Sequence, residues 1–277
     1  QLSLGDRGYL QGEARYGRSH FNQMNLDTTE LGGSLTIGRE LSALTKLGVV
    51  VAAHESDYGE RQARGRRKFE DSYITFSTIG ARTELDMAAG VTIVDTNTSS
   101  SKSSPSFRIT ATRQASSRTV VGLDYFRGYS ESVQSFVREV TTGAGGAGET
   151  AFDITSAPFL SQTLRMDIVK GRGRFDVGLR GGVSRETYAG DDDIPPTGDR
   201  RSLDAEMAME YKMSSRMQFV TDFHYTRYRT LGSATRSAST QQAWSGTAGL
   251  LTQISRSLGV GALFVYSKGD ADFARSR

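Results

Sequence analysis

The sequence predicts an all-β protein, a transmembrane antiparallel up-and-down β-barrel of about 14 strands. Three observations predict it. Apolar and polar residues alternate with a period of two in run after run, as in strands whose successive side chains leave opposite faces. The runs reach the roughly nine to eleven residues that a tilted strand needs to cross a bilayer. The connections alternate between tight turns and long polar loops, which is typical of barrels that cross a membrane.

The composition excludes several other classes of protein. The chain of 277 residues contains 36% hydrophobic residues and no apolar run long enough for a transmembrane helix. It contains no cysteine, which excludes a disulfide framework, thiol catalysis, a thiolate metal site and covalently attached haem. The low mean hydropathy, −0.43, also fits a barrel, because every second residue then faces a polar interior. We treat residues 1–277 as one domain.

The clearest hairpin runs from Leu203 to Tyr225. Its two strands meet at the polar turn 214–216. In the first strand Leu, Ala, Met and Tyr occupy one face and charged residues the other, and in the second Met, Phe and Tyr oppose Gln218, Asp222 and His224. The same unit recurs along the chain. Thirteen strands are predicted near residues 8–20, 32–40, 46–56, 71–79, 84–96, 106–113, 118–128, 158–169, 174–187, 202–213, 216–228, 243–254 and 258–267.

The alternation assigns each side chain to one face of the barrel wall. The polar face is expected to line the lumen with Glu13, Arg15, Asp86, Arg108, Asp124, Arg165, Asp167, Asp176, Arg180, Asp204, Glu206, Glu210, Asp222 and His224. The apolar face is expected to place aromatic side chains at the membrane interface, at Tyr16, Tyr125, Tyr211, Phe223, Tyr225, Trp244, Phe264 and Tyr266.

The connections set the orientation. Six tight turns, each with a basic residue in or beside it, are expected to be periplasmic, and the longer polar connections extracellular. Single-chain barrels have even strand numbers. An odd count of thirteen therefore predicts a fourteenth strand after Arg277, with 268–277 as the last extracellular loop; a miscounted strand is the alternative.

The long alternating strands, the Ser- and Arg-rich turns and the closing segment Tyr266–Arg275 resemble the β-barrel porins of the outer membrane that are associated with exopolysaccharide loci. The resemblance is one of pattern over nearly the whole chain. It implies passage or scaffolding at the outer membrane, and it carries over no catalytic residue.

Three functions remain open at this point. The first is a pore or export conduit for a hydrophilic solute or polysaccharide, alone or as the membrane part of an envelope complex. The second is a non-conducting barrel whose extracellular loops serve as an adhesin, receptor or complex scaffold. The third is a barrel hydrolase that uses Asp222 and His224, which share a strand face, with carboxylates from Asp204 and Glu206. We expect no enzyme activity, no cofactor and no metal site.

The expected partners are outer-membrane lipid and lipopolysaccharide, with periplasmic or outer-membrane complex subunits as further candidates and no nucleic acid. A basic extracellular loop is predicted to bind lipopolysaccharide phosphates or an anionic polymer through Arg61, Arg64, Arg66, Arg67 and Lys68. A solvated charge run is the alternative. His20 and His54 are expected to be surface residues near the extracellular strand ends.

Overall fold

The strands form one antiparallel sheet in chain order in the computed structural model. The structure describes residues 2–5, 7–21, 26–58, 66–96, 99–130, 158–188, 199–231, 238–254 and 258–273. Within them, each strand from β1 to β13 pairs with the next along the chain, and β14 is recorded as paired with β13 alone. No helix in these ranges is long and apolar enough to cross a membrane.

The strand bounds are as follows. β1 is Leu2–Leu4, β2 Gly8–Phe21, β3 Leu26–Ser42, β4 Thr45–Tyr58, β5 Arg66–Ile79, β6 Thr83–Thr96, β7 Ser99–Ser116, β8 Thr119–Ser130, β9 Phe159–Arg172, β10 Phe175–Tyr188, β11 Arg200–Lys212, β12 Met217–Thr230, β13 Ser239–Gln253 and β14 Gly259–Phe273.

The predicted fold class is confirmed, and each of the thirteen predicted strands corresponds to one of β2–β14. The three-residue strand β1, which pairs with the start of β2, is absent from the prediction. A strand after Arg277 lies outside the described residues. The prediction of a loop from residue 268 is wrong in part, because β14 continues to Phe273.

Short turns close the hairpins at the end opposite the long connections. In three of them a serine hydroxyl accepts a hydrogen bond from the backbone N–H two residues later. The donors are the N–H groups of Leu44, Arg118 and Arg216, and the acceptors are Ser42, Ser116 and Ser214 respectively. Such serine turns offer the reversing backbone a local partner. In the β9–β10 turn, Gly173 has a φ of 67°, a region that glycine enters without steric cost.

One face of the sheet is apolar and exposed; we call it the outer face. Val51 and Ile74 are typical, with 56% and 59% of their surface accessible. On the other side, the inner face, the only fully buried large apolar side chains among the described residues are Phe69, Val94 and Phe159. An apolar face of this extent requires lipid rather than water. The fold and its apolar face place the protein in the bacterial outer membrane.

Candidate functional site

The inner face carries the candidate site. Directly opposite residues of paired strands point to the same side of a sheet. Asp124 lies opposite Arg165, and Arg180 lies opposite both Asp167 and Glu206. The same register relations place all fourteen residues that were predicted to line the lumen on the inner face. Alternation alone therefore identified which residues share this face.

The strands β9–β12 form a charged sector on the inner face. Its acidic members are Asp167, Asp176, Glu186, Asp204, Glu206, Glu210 and Asp222, and its basic members are Arg165, Arg180, Arg200 and Lys212.

Ion pairs cross the strands of this sector. Arg180 Nη1 lies 3.2 Å from Glu206 Oε2. Lys212 Nζ lies 3.2 Å from Asp176 Oδ2 and 3.6 Å from Glu210 Oε1. These side chains remain open to solvent: Arg180 is 57% and Glu206 39% accessible. The sector therefore presents charges to a water-accessible space rather than burying them in a packed core.

Asp222 and His224 lie on this inner face, but their side chains are not hydrogen-bonded to each other in the described structure. Within the described residues, His224 Nε2 is also buried without a hydrogen-bond partner. His224 lies opposite Glu206, which is paired with Arg180. A hydrolytic His would need a carboxylate that orients its ring. The described residues also contain no group of three or more His, Asp or Glu residues placed to hold a metal ion.

A second group of polar residues crosses β2–β6. Arg15 Nη2 lies 2.8 Å from Glu30 Oε1, and the Thr92 hydroxyl donates a hydrogen bond of 2.6 Å to Asp71. Asp71 and Glu30 were missed as lining residues. The alternation through Ile74 and Phe76 already placed Asp71 on the inner side, so that signal was present in the sequence.

His54 belongs to the same region, and its expected surface position is wrong. Its imidazole ring stacks on the Phe69 ring at 4.5 Å between centroids and 3° between planes. His54 and Phe69 are opposite in the β4–β5 pair, and both face inward. The side chain of His20 lies outside what the structure describes.

A buried cluster occupies the extracellular end of the inner face on β4–β7. Its members are Ser56, Arg67, Phe69, Thr92, Val94 and Ser104. Phe69 is 1% and Arg67 3% accessible. Side chains therefore fill this end of the inner face, whereas the charged sector stays open.

The predicted basic loop requires correction. Arg61 and Arg64 lie outside the described residues, while Arg66, Arg67 and Lys68 are not in a loop but in β5. Arg67 points inward and is buried. Arg66 forms an ion pair with Glu55, and Lys68 Nζ lies 2.5 Å from Glu70 Oε1. These three residues therefore do not form a free anion-binding loop.

The eight predicted interface aromatics all lie on the outer face by register. Trp244 contacts two of them, with ring centroids 4.2 Å from Tyr225 and 5.6 Å from Phe223. Tyr211 meets Phe175 edge-on at 6.5 Å. Their depth at the membrane interface remains a prediction.

Comparison with known proteins identifies the fold. No family model and no curated protein matches the chain. Among solved structures, it is similar to the apoprotein form of the FrpB iron transporter from Neisseria meningitidis, with 11% identity and a TM-score of 0.53, over 96% of this chain and 55% of that one. It is also similar to the copper transporter OprC, with 12% identity and a TM-score of 0.51, over 87% of this chain and 48% of that one. The fold is that of outer-membrane β-barrels. The chain spans about half the length of these transporters.

Proposed function

We propose that the protein is an outer-membrane pore for hydrophilic solutes, with a preference for cations. One observation carries the proposal: charged side chains of β9–β12 face inward and keep large accessible fractions, as with 47% for Lys212 in its pair with Asp176. Barrels of about eight strands are filled by side chains and those of sixteen enclose aqueous channels. A barrel near fourteen strands has room for a narrow water-filled path.

The cation preference follows from the composition of the charged sector. Carboxylates outnumber basic groups there, and Asp222 is exposed without an ion-pair partner in the described structure. Rings of Asp and Glu favour cations in channels. The finer proposal is that the solute is an exported polysaccharide. It is supported by the pattern-level resemblance and by an inner face rich in carboxylates and hydroxyls, which hydrogen-bond sugar hydroxyls.

The second candidate is a non-conducting barrel that acts as an adhesin, receptor or scaffold. The buried cluster of β4–β7 favours it, because side chains fill that end of the inner face. Absence of enzyme activity and the proposed envelope partners remain predictions in both cases.

Conductance in planar bilayers separates the two candidates. The full chain is reconstituted in a bilayer that separates KCl solutions of different concentration. We expect stepwise current increases, and a reversal potential whose sign shows that K⁺ permeates more readily than Cl⁻. A barrel that produces no steps at any salt concentration contradicts the pore.

A matched pair of variants tests the origin of the selectivity. Asp204→Asn combined with Asp222→Asn removes two inner-face charges and is expected to lower the K⁺ preference while steps persist. Glu70→Gln removes an outer-face charge and is expected to leave the preference unchanged. If both variants shift the reversal potential equally, the inner carboxylates do not set the selectivity.

A further inference from the structure

The outer face carries a row of arginines on neighbouring strands. Arg185 on β10 lies directly opposite Arg201 on β11, which lies directly opposite Arg229 on β12. On the other side of Arg185, Gln162 separates it from Arg127. The arginine row consists of Arg127, Arg185, Arg201, Arg227 and Arg229, with Gln162 between the first two.

Among the residues that the structure describes, the row has little compensating negative charge. Asp199 is the one acidic partner recorded for it among the described residues, with its Oδ2 3.2 Å from Arg185 Nη2. Like charges directly opposite each other destabilise a sheet. Three arginines in successive opposite positions therefore indicate a site that is complete only when an anion binds between them.

The outer face at the extracellular ends of β4 and β5 provides an internal comparison. There Glu55 pairs with Arg66, and Lys68 pairs with Glu70. The signs alternate, so the charges neutralise each other within the protein. A location next to the apolar band therefore does not by itself produce a run of like charges. The arginine row is a particular feature of β8–β12.

The row borders the apolar band. On the outer face, Arg185 follows Val183, Arg201 precedes Leu203, and Arg227 follows Tyr225 at the next outward positions. The long connections lie at this end of the strands, which makes it the extracellular side. A ligand that contacts both surfaces has acyl chains and an anionic head group.

We propose that the arginine row binds the phosphate groups of lipopolysaccharide in the outer leaflet, with the acyl chains against the apolar band beneath it. Guanidinium groups bind phosphate oxygens in bidentate geometry, and Gln162 adds an amide donor to the same row. The site differs from the predicted basic loop. It depends on the outer-membrane fold and not on whether the barrel conducts.

A binding assay in detergent micelles tests this site on the full chain. Binding of lipopolysaccharide is compared between the wild type and the triple variant Arg185→Gln, Arg201→Gln, Arg229→Gln. We expect a loss of about fivefold per arginine, the equivalent of ~1 kcal/mol for each basic residue near an anionic membrane surface. The control is Arg66→Gln with Lys68→Gln, which lie on the same outer face but on β5, away from the arginine row, and this variant is expected to bind as tightly as the wild type.

Two further arms identify the ligand group. Enzymatically dephosphorylated lipopolysaccharide is expected to bind the wild type as weakly as intact lipopolysaccharide binds the triple variant. Inorganic phosphate alone is expected not to displace lipopolysaccharide at equal concentration, because it lacks the apolar part. The single variant Arg201→Gln gives the same test, with about a fivefold loss, if circular dichroism shows that the triple variant is unfolded. Unchanged binding in these variants, an equal loss in the control, or displacement by free phosphate overturns the proposal.

Discussion

Tyr9 illustrates how single residues fit together on the inner face. Its ring lies over Gly38 on β3 and reaches Gly48 on β4. A Cβ atom added to Gly38 would overlap the ring. Lys46 Nζ lies 6.0 Å from the centre of the same ring, within the range of a cation–π contact. The aromatic side chain covers backbone that the glycines leave bare, and this contact requires glycine at position 38.

Replacing Gly38 by valine is therefore expected to destabilise the barrel. Overpacking of a filled site costs about 1–3 kcal/mol. Gly12 on neighbouring β2 is the matched control, because a Cβ added there meets nothing within 4 Å. Urea unfolding of both variants in detergent micelles measures the difference. Equal midpoints for Gly38→Val and Gly12→Val would show that the Tyr9 contact contributes nothing to stability.

The sequence predicted the face of each side chain well and its neighbours poorly. Asp204 and Met207 fall on opposite faces because alternation within one strand decides the matter. The stack of His54 on Phe69 depends instead on the register between β4 and β5. A long connection joins these two strands, so no single run of residues in the sequence reveals their register. The burial of Arg67 escaped prediction for the same reason.

At the scale of elements, the apolar parts of the strands were predictable and their extracellular ends were not. β7 begins at Ser99, seven residues before its predicted start, and β3 begins at Leu26 rather than near 32. The added segment of β7 contains serines on both faces, so it shows no contrast between outside and inside. Backbone pairing continues there beyond the apolar band, where the water-facing polar residues carry no period-two signal.

The two faces of β11 predict opposite responses to the same substitution. Met207 lies in the middle of the outward apolar run, and Ala208 points inward beside Asp222. Arginine at a lipid-facing position near the bilayer midplane costs about 2–4 kcal/mol. We therefore expect Met207→Arg to lower the unfolding free energy in lipid vesicles by that amount, and Ala208→Arg to lower it far less. The reverse order would contradict the assignment of the two faces.

At the scale of the whole molecule, the described strands of the barrel enclose no conventional hydrophobic core. The barrel's apolar residues face outward, where lipid surrounds them, and its inner face mixes an open charged sector with a buried cluster at one end. Backbone hydrogen bonds between successive strands form the continuous wall that separates the two faces. This arrangement explains a negative mean hydropathy in a membrane protein. The fold therefore follows from local alternation. The identity of the solute depends on the shape of the lumen, and alternation predicts only which residues line it.

Cysteine accessibility along β11 tests the central claim most directly. The chain contains no cysteine, so single substitutions can be introduced one at a time from Leu203 to Lys212. In intact outer membranes, a water-soluble maleimide is expected to label the even positions, such as Glu206 and Ala208, and to leave the odd positions from Leu203 to Met209 unlabelled. Uniform labelling along the strand, or labelling with a period near 3.6 residues, would contradict a barrel that separates lipid from a water-filled lumen.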